Sequence, residues 1–451
     1  MLYGAAYPFL ILLYIFSVFV PIPVLNYAVG VVSVTVIALA SYRAKGLYFY
    51  TGLIFLVSGF VLFFAKGHPW HSFFLQFQPM LPLLALFLVL PFINMLIYVN
   101  QFHKIIEELM KQRVTAWDQL YSRASSATLI ISNFLNIATI PLVAKSLKQP
   151  LSGLPESDKR SFQSKSLLRS YALALSWSPL DATVSSAIGL TGVNFLFVLP
   201  IMLILAAGAV AADRGLSRLR YRGMHFEASR AFVPAEMRSN AQKLPQLAAF
   251  LLLFVVVVSI VHGAIGQSFL LSIVLVLPLY SLLWSWAFRK TGQYLALIAG
   301  GWKEHAAGLS NYFFMFLSAS LFVNMVSGTE GLDVLQSLYA GVVGIPFYFY
   351  ALTAAFFLIA SLIGFHPIVS LGVFSVVIGQ SASHLPIIPF TVVLVVCSMS
   401  TVIYSPFNLS VSLMAKELQI NPFRITLWNL GFAIGYIFVG ICAALLIDLL
   451  V

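Results

Sequence analysis

The sequence predicts an all-α polytopic membrane protein of about eleven transmembrane helices plus two opposed re-entrant hairpins, arranged as two inverted repeats. Three observations carry that expectation. The 451 residues are 61% hydrophobic and 9% charged, with a mean hydropathy of +0.97, whereas soluble domains average about 45–50% apolar and about 25% charged. Apolar runs near the length of about 20 residues that crosses a bilayer recur along the chain. A nine-residue string also recurs, WSPLDATVS at 177–185 and YSPFNLSVS at 404–412. So few charges cannot cover a soluble surface. That excludes a cytosolic globular enzyme, a disordered chain and a nucleic-acid-binding module, and it makes the lipid bilayer an expected partner.

The first apolar segment, 4–20, follows an N-terminus without a basic n-region or a convincing A-x-A site. It is expected to be a retained extra span, 1–22, and not a cleaved signal peptide. The first repeat covers 23–212, with spans near 23–40, 47–65, 79–99 and 192–212, a hairpin at about 101–147 and a broken helix at about 167–189. The arm 101–123 sets apolar residues at helical spacing among charges, the pattern of an interfacial segment. Glu107, Glu108 and Asp118 on that arm read as a solvated face. The rest of the hairpin is interrupted by Asn133, Asn136 and Pro141.

A linker at 213–244 separates the halves. The second repeat, 245–451, has spans near 245–262, 267–288, 310–327 and 423–449. Its hairpin, about 336–380, breaks at Gly364-Phe365-His366-Pro367, and its broken helix lies at about 388–415. Cys397 and Cys442 both sit inside apolar runs, so no disulfide framework and no Cys-rich metal site is expected.

The formal charge of +11 reflects 25 basic against 14 acidic residues. Cytoplasmic loops of membrane proteins accumulate Lys and Arg, which explains this excess better than anion binding does. The linker holds seven basic residues against three acidic ones and is expected in the cytoplasm. Counting crossings outward places Arg43, Lys45, Lys104, Lys111, Arg113, Lys145 to Lys165, Arg289 and Lys290 inside, with Glu330 and Asp333 outside. The expected location is the cell (inner) membrane, with the N-terminus cytoplasmic and the C-terminus outside.

The two nine-residue strings stand 227 positions apart, about half the chain, each late in a broken apolar segment followed by one clean span. By the crossing count they run in opposite directions. Inverted repeats with discontinuous helices place their breaks near the midplane, where both faces of the membrane can reach them. Pro179 and Pro406 each remove a helix hydrogen bond and free a carbonyl. A single proline break is an ordinary kink, since neighbours re-satisfy the freed groups; two matched Ser-Pro-x-Asp/Asn breaks favour a site.

On these residues the chain resembles the ion transporter superfamily, and in layout the divalent anion:sodium symporter family. Ser132-Asn133 looks like part of that family's first hairpin motif, with Phe134 where a Thr stands in the family. Ser178-Pro179-Leu180-Asp181 and Ser405-Pro406-Phe407-Asn408 look like its two unwound stretches. The second hairpin departs: Gly364, His366 and Pro367 stand where a Ser-Asn-Thr motif belongs. The resemblance implies a homodimer whose scaffold helices hold still while hairpins and broken helices slide as an elevator.

Asp181 is the most informative position. A carboxylate at bilayer depth costs at least about 2.5–3.5 kcal/mol, so it faces a cavity, an ion or a partner. It is a candidate to couple a cation or proton, or to bond unwound backbone. Ser178, Thr183, Asn408 and Ser410 join it as candidate cation-coupling residues, with a Na+ site expected near Asp181 and Asn408 and no other cofactor. Candidate substrate-binding residues are Ser132, Asn133, Asn136, Thr139, Ser178, His366, Ser405 and Asn408. His366 suits proton coupling or, as a neutral imidazole, satisfies freed backbone. The hairpin polar residues equally serve as helix-to-helix glue. Trp177 and Tyr404 are expected to pack; Ser398, Ser400 and Thr401 are candidate liners.

The expected function is a secondary active transporter moving a small solute, an organic anion, coupled to Na+ or H+. A Na+/H+ antiporter on the same scaffold is the alternative. An integral-membrane lipid-linked transferase is the alternative of another class, although no loop is large enough for a substrate domain and no acidic or His cluster stands out. No Gly-x-x-x-x-Gly-Lys-Ser/Thr loop supports a primary pump.

Overall fold

A computed structural model describes residues 2–100, 116–222, 243–379 and 385–450, and every regular element among them is helical. Of the expected interfacial arm, 101–123, positions 101–115 with Glu107 and Glu108 lie outside the described residues, as do linker positions 223–242; its remainder, with Asp118, opens the helix Trp117–Leu135.

In chain order the helices are α1 (Leu2–Phe19), α2 (Pro23–Ser41), α3 (Gly46–Ala65), a 3-10 segment (Trp70–Phe77), α4 (Leu81–Val99) and α5 (Trp117–Leu135). A 3-10 turn (Asn136–Ala138) leads to α6 (Thr139–Leu147), followed by α7 (Glu156–Leu175), α8 (Ala182–Thr191) and α9 (Phe195–Arg220). The second half holds α10 (Lys243–Ile265), α11 (Phe269–Ala287), α12 (Thr291–Gly308), α13 (Ser310–Val326) and α14 (Glu330–Val342). It ends with α15 (Pro346–Leu362), α16 (Pro367–Ile378), α17 (Ile387–Tyr404), α18 (Leu409–Leu418) and α19 (Pro422–Asp448). The spacing of the nine-residue strings recurs in these bounds: both ends of α18 stand 227 positions beyond those of α8.

Seven runs among the described residues are long and apolar enough to cross a membrane, and α12 with α13, bent by 49°, makes an eighth. These account for eight of the eleven expected spans. The apolar parts of α1 and α10 are shorter, and α7 with α8 does not qualify, for a physical reason. The first half of α7 carries Glu156, Asp158, Lys159, Arg160 and Lys165, and Arg169 follows in its second half. This helix is instead buried in protein, at every position from Ser161 to Leu175 except Lys165.

Two further differences concern charged residues. Glu330 and Asp333, expected in a loop, occupy the first turn of α14, where negative charge complements the helix dipole. Asp213 and Arg214, expected in the linker, extend α9, and Asp213 is buried there.

The chain forms two compact units. The first gathers Met1–Leu96, Leu270–Gly344 and Val369–His384. In it α3 packs closely on α13: a Cβ at Gly52 would stand 2.8 Å from the Phe314 ring and one at Gly59 2.8 Å from Leu321. The second gathers Ile97–Phe269, Ile345–Ile368 and Leu385–Val451, and so contains α5 to α10, α15 and α17 to α19. At its centre α17 is buried from Pro389 to Tyr404 and touches α7, α8, α9, α15 and α19. The arms expected to form the second hairpin, α15 and α16, fall largely in different units.

Candidate functional site

Both sequence-matched breaks lie in the second unit and share one backbone pattern. The N–H of Asp181 donates to the Ser178 carbonyl at 3.2 Å, and that of Asn408 to the Ser405 carbonyl at 3.0 Å. Helix restarts when Ser185 N–H reaches the Asp181 carbonyl at 3.0 Å and Ser412 N–H the Asn408 carbonyl at 2.9 Å. The hydroxyls repeat the match: Ser185 donates to the Pro179 carbonyl at 2.8 Å and Ser412 to the Pro406 carbonyl at 3.3 Å.

Each break ends in an N-cap. Asp181 Oδ1 accepts from the N–H groups of Thr183 at 2.9 Å and Val184 at 3.1 Å. Asn408 Oδ1 accepts from Ser410 N–H at 3.1 Å. Asp and Asn are both strong caps because a short side-chain oxygen reaches donors that have no intrahelical partner. The two caps therefore do the same local work, and one of them carries charge. The two backbone bonds to Asp181 fall on Oδ1, and the Thr183 side chain is a further hydrogen-bond partner of the carboxylate; Asp181 is 8% exposed.

Proline frees the carbonyl four residues before it. Leu175 is served by Ser178 N–H at 2.9 Å, and Val402 by the Ser410 hydroxyl at 2.6 Å. Ser410→Ala strips a buried carbonyl of that donor, which costs about 1–3 kcal/mol. It is expected to lower the thermal-unfolding midpoint in detergent more than Ser412→Ala, whose bond is longer. Equal shifts would show that the Ser410 hydroxyl is dispensable.

The breaks differ in what their side chains hold. At the second, Ser405 donates to the Ser361 carbonyl at 2.8 Å, and the Tyr404 and Ser361 hydroxyls are 2.7 Å apart. Phe407 lies against Gly364, whose φ of +108° turns the chain out of α15. His366 caps α16, its Nδ1 accepting from Ile368 N–H at 3.3 Å. At the first break the Ser178 hydroxyl is buried with no hydrogen-bond partner among the described residues.

Other polar groups at the first-half turn share that state. Asn133 donates to the Leu129 carbonyl at 3.1 Å, but its Oδ1 and the Thr139 hydroxyl are buried without partners among the described residues. Ser132 is spent on the Thr128 carbonyl at 2.6 Å. Asn136 takes φ +47° at the end of α5 and accepts from the Tyr171 hydroxyl at 2.5 Å, anchoring the turn to α7. Ser398, Ser400 and Thr401 bond carbonyls of their own helix.

A second polar cluster of this unit escapes sequence reasoning. Arg169 on α7 bonds Asp213 through Nη1 at 2.6 Å, Asn429 Oδ1 through Nε at 3.1 Å and the Trp428 carbonyl through Nη2 at 3.1 Å. Tyr121 donates to Asp213 Oδ2 at 2.7 Å, and Asn429 donates to Ser164 Oγ at 2.8 Å. The one signal was an arginine inside the run Leu167-Leu168-Arg169-Ser170-Tyr171-Ala172. In the second half the matching positions are Val396 and Gly440, where a Cβ on the glycine would stand 2.7 Å from Val396 Cγ1.

No protein-family profile matches the chain, and no curated protein does. Among solved structures it is similar to the YdaH transporter of Alcanivorax borkumensis, described as having an unusual topology. The two share 14% sequence identity and a TM-score of 0.55, over 88% of this chain and 98% of that one. At that identity the likeness is one of fold: the chain has an all-helical polytopic fold shared with a membrane transporter.

Proposed function

We propose that the chain is a secondary active transporter that moves a small organic anion together with Na+ or H+ by alternating access. The observation that carries this reading is the pair of buried, proline-broken helices with matched backbone and unlike caps, Asp181 and Asn408. Irregular backbone at membrane depth survives where it lines a cavity or is buried in protein. Opposed orientation of the copies is supported by the bond of 2.8 Å from Thr391, in the first turn of α17, to Thr191, the last residue of α8. It is also supported by the packing of α18 on α7 and of α8 on α17. An elevator in which the unit holding both breaks is the moving part, and a homodimer, follow from the family resemblance.

Oxygen donors give the site its chemistry. A hard cation prefers oxygen donors, and the Asp181 carboxylate with Ser178 Oγ supplies a charged and a neutral one. Thr139, the first residue of α6, and Asn133, in the last turn of α5, are the candidates to meet the anion, helped by the positive end of α6. His366, engaged in capping, is assigned to the second turn's architecture.

Uptake into proteoliposomes is the test. Radiolabelled mono- and dicarboxylates are offered under a Na+ gradient, a pH gradient or neither. A solute whose uptake needs one gradient supports symport, whereas pH-dependent Na+ flux with no organic solute identifies the antiporter instead. Ser178→Ala and Thr139→Ala remove hydroxyls that have no hydrogen-bond partner among the described residues. They are expected to leave the unfolding midpoint in place and weaken apparent affinity about 10-fold or more, as for a hydrogen bond to a charged group. Unchanged affinity in both would remove these hydroxyls from the site.

A further inference from the structure

The first unit carries a groove that the transport reading does not use. Its apolar part is a cavity of about 490 Å³ along α2 and α3. Phe49, Leu53, Leu56 and Phe60 recur at helical spacing on α3 and line its length, and Phe73 and Phe77 of the 3-10 segment close it. That segment comes close to α2 because Gly30 has no side chain: a Cβ there would collide with the Phe74 carbonyl.

At its other end Tyr42 lines this cavity and also a polar one of about 340 Å³, shared with Arg43, Lys45, Ser310 and Asn311. Arg43 and Lys45 are exposed. Arg43 lies 5.0 Å from the centre of the Tyr3 ring, and the Lys45 backbone N–H is held by Asn311 Oδ1 at 2.8 Å. Neither cation has an acidic ion-pair partner among the described residues.

We propose that this continuous surface is a binding site for one anionic phospholipid, with the phosphate held by Arg43 and Lys45 and an acyl chain laid along α3. Dimensions and charge both fit. From Phe49 to Phe60 the helix advances about 16 Å, close to half of the hydrocarbon core of about 30 Å, which is the depth one acyl chain occupies. Exposed, uncompensated cations at the mouth of an apolar slot complement a phosphodiester, and the neighbouring Ser310 and Asn311 suit a polar headgroup. An aromatic residue at the junction of polar and apolar zones, here Tyr42, is typical of the lipid interface.

The test uses the full-length protein, delipidated in mild detergent, and reads retained lipid by native mass spectrometry and stability by thermal shift. Phosphatidylglycerol, phosphatidylcholine and inorganic phosphate are added separately. Phosphatidylglycerol is expected to be retained at one per chain and to raise the unfolding midpoint, because a ligand of the folded state stabilises it. Phosphatidylcholine is expected to bind about 30-fold more weakly, and Arg43→Gln with Lys45→Gln to weaken phosphatidylglycerol about 30-fold, from two juxtamembrane charges. Leu53→Trp, which fills the slot, is expected to abolish retention of both lipids.

The proposal is overturned by equal binding of the two lipids, by full retention in the double Gln variant, or by a phosphate effect equal to that of phosphatidylglycerol. A Leu53→Trp protein that keeps its lipid but loses a dimer would likewise overturn it, by assigning the slot to a second copy of the chain.

Discussion

Asp181→Asn is expected to fold like the wild type and to lose coupled uptake by about 100- to 1000-fold. The structure contains its own control. Asn408 caps α18 through Oδ1 as Asp181 caps α8, and Asn and Asp are nearly equivalent caps. The substitution therefore keeps the restart of the helix, within about 0.5 kcal/mol, and removes the charge alone. A cation about 4 Å from a carboxylate gains on the order of 3–4 kcal/mol at an effective dielectric near 20, which converts to the stated loss. Asp181→Ala, in contrast, removes cap and charge together and costs about 1 kcal/mol of stability besides. Uptake in proteoliposomes and the unfolding midpoint in detergent separate the two effects. Wild-type coupled flux in Asp181→Asn would take the carboxylate out of the mechanism.

The largest stability effect is expected at the ion pair on α7. Arg169→Met or Asp213→Leu alone leaves a buried charge without its partner, which costs about 3–5 kcal/mol. The side chains are 10% and 3% exposed, so water compensates little. The second half holds Val396 and Gly440 at the same positions, which shows that this contact tolerates apolar packing. The double variant Arg169→Met, Asp213→Leu is accordingly expected to unfold nearer the wild type than either single variant does. A thermodynamic cycle over the three measures the coupling, and strictly additive losses would mean that the pair is not coupled.

Much of this organisation was legible in the sequence because proline and a following Asp or Asn have local consequences. Ser178-Pro179 and Ser405-Pro406 announce lost hydrogen bonds, and the next short polar residue caps the restart. Composition likewise announced an all-helical membrane fold. What the sequence hid depends on tertiary partners. Arg169 looks like a misplaced charge until Asp213, Asn429 and the Trp428 carbonyl surround it. Asp213 looks like linker because nothing in its neighbourhood marks α9 as continuing past the apolar run. The unequal state of Ser178 and Ser405 was also invisible, since Ser405 is satisfied by a tertiary partner, the Ser361 carbonyl, 44 positions away in the sequence.

The reach of Arg169 bears on how the chain is built. Its bonds to α19 close across 259 and 260 positions, so the ribosome delivers α7 long before Trp428 and Asn429 exist. A helix with six ionised side chains cannot partition into lipid by itself, and only Asp213 is made early enough to shield the guanidinium. In a chain made from its N-terminus onward, the bonds of Arg169 to α19 are therefore the last of this cluster that can form.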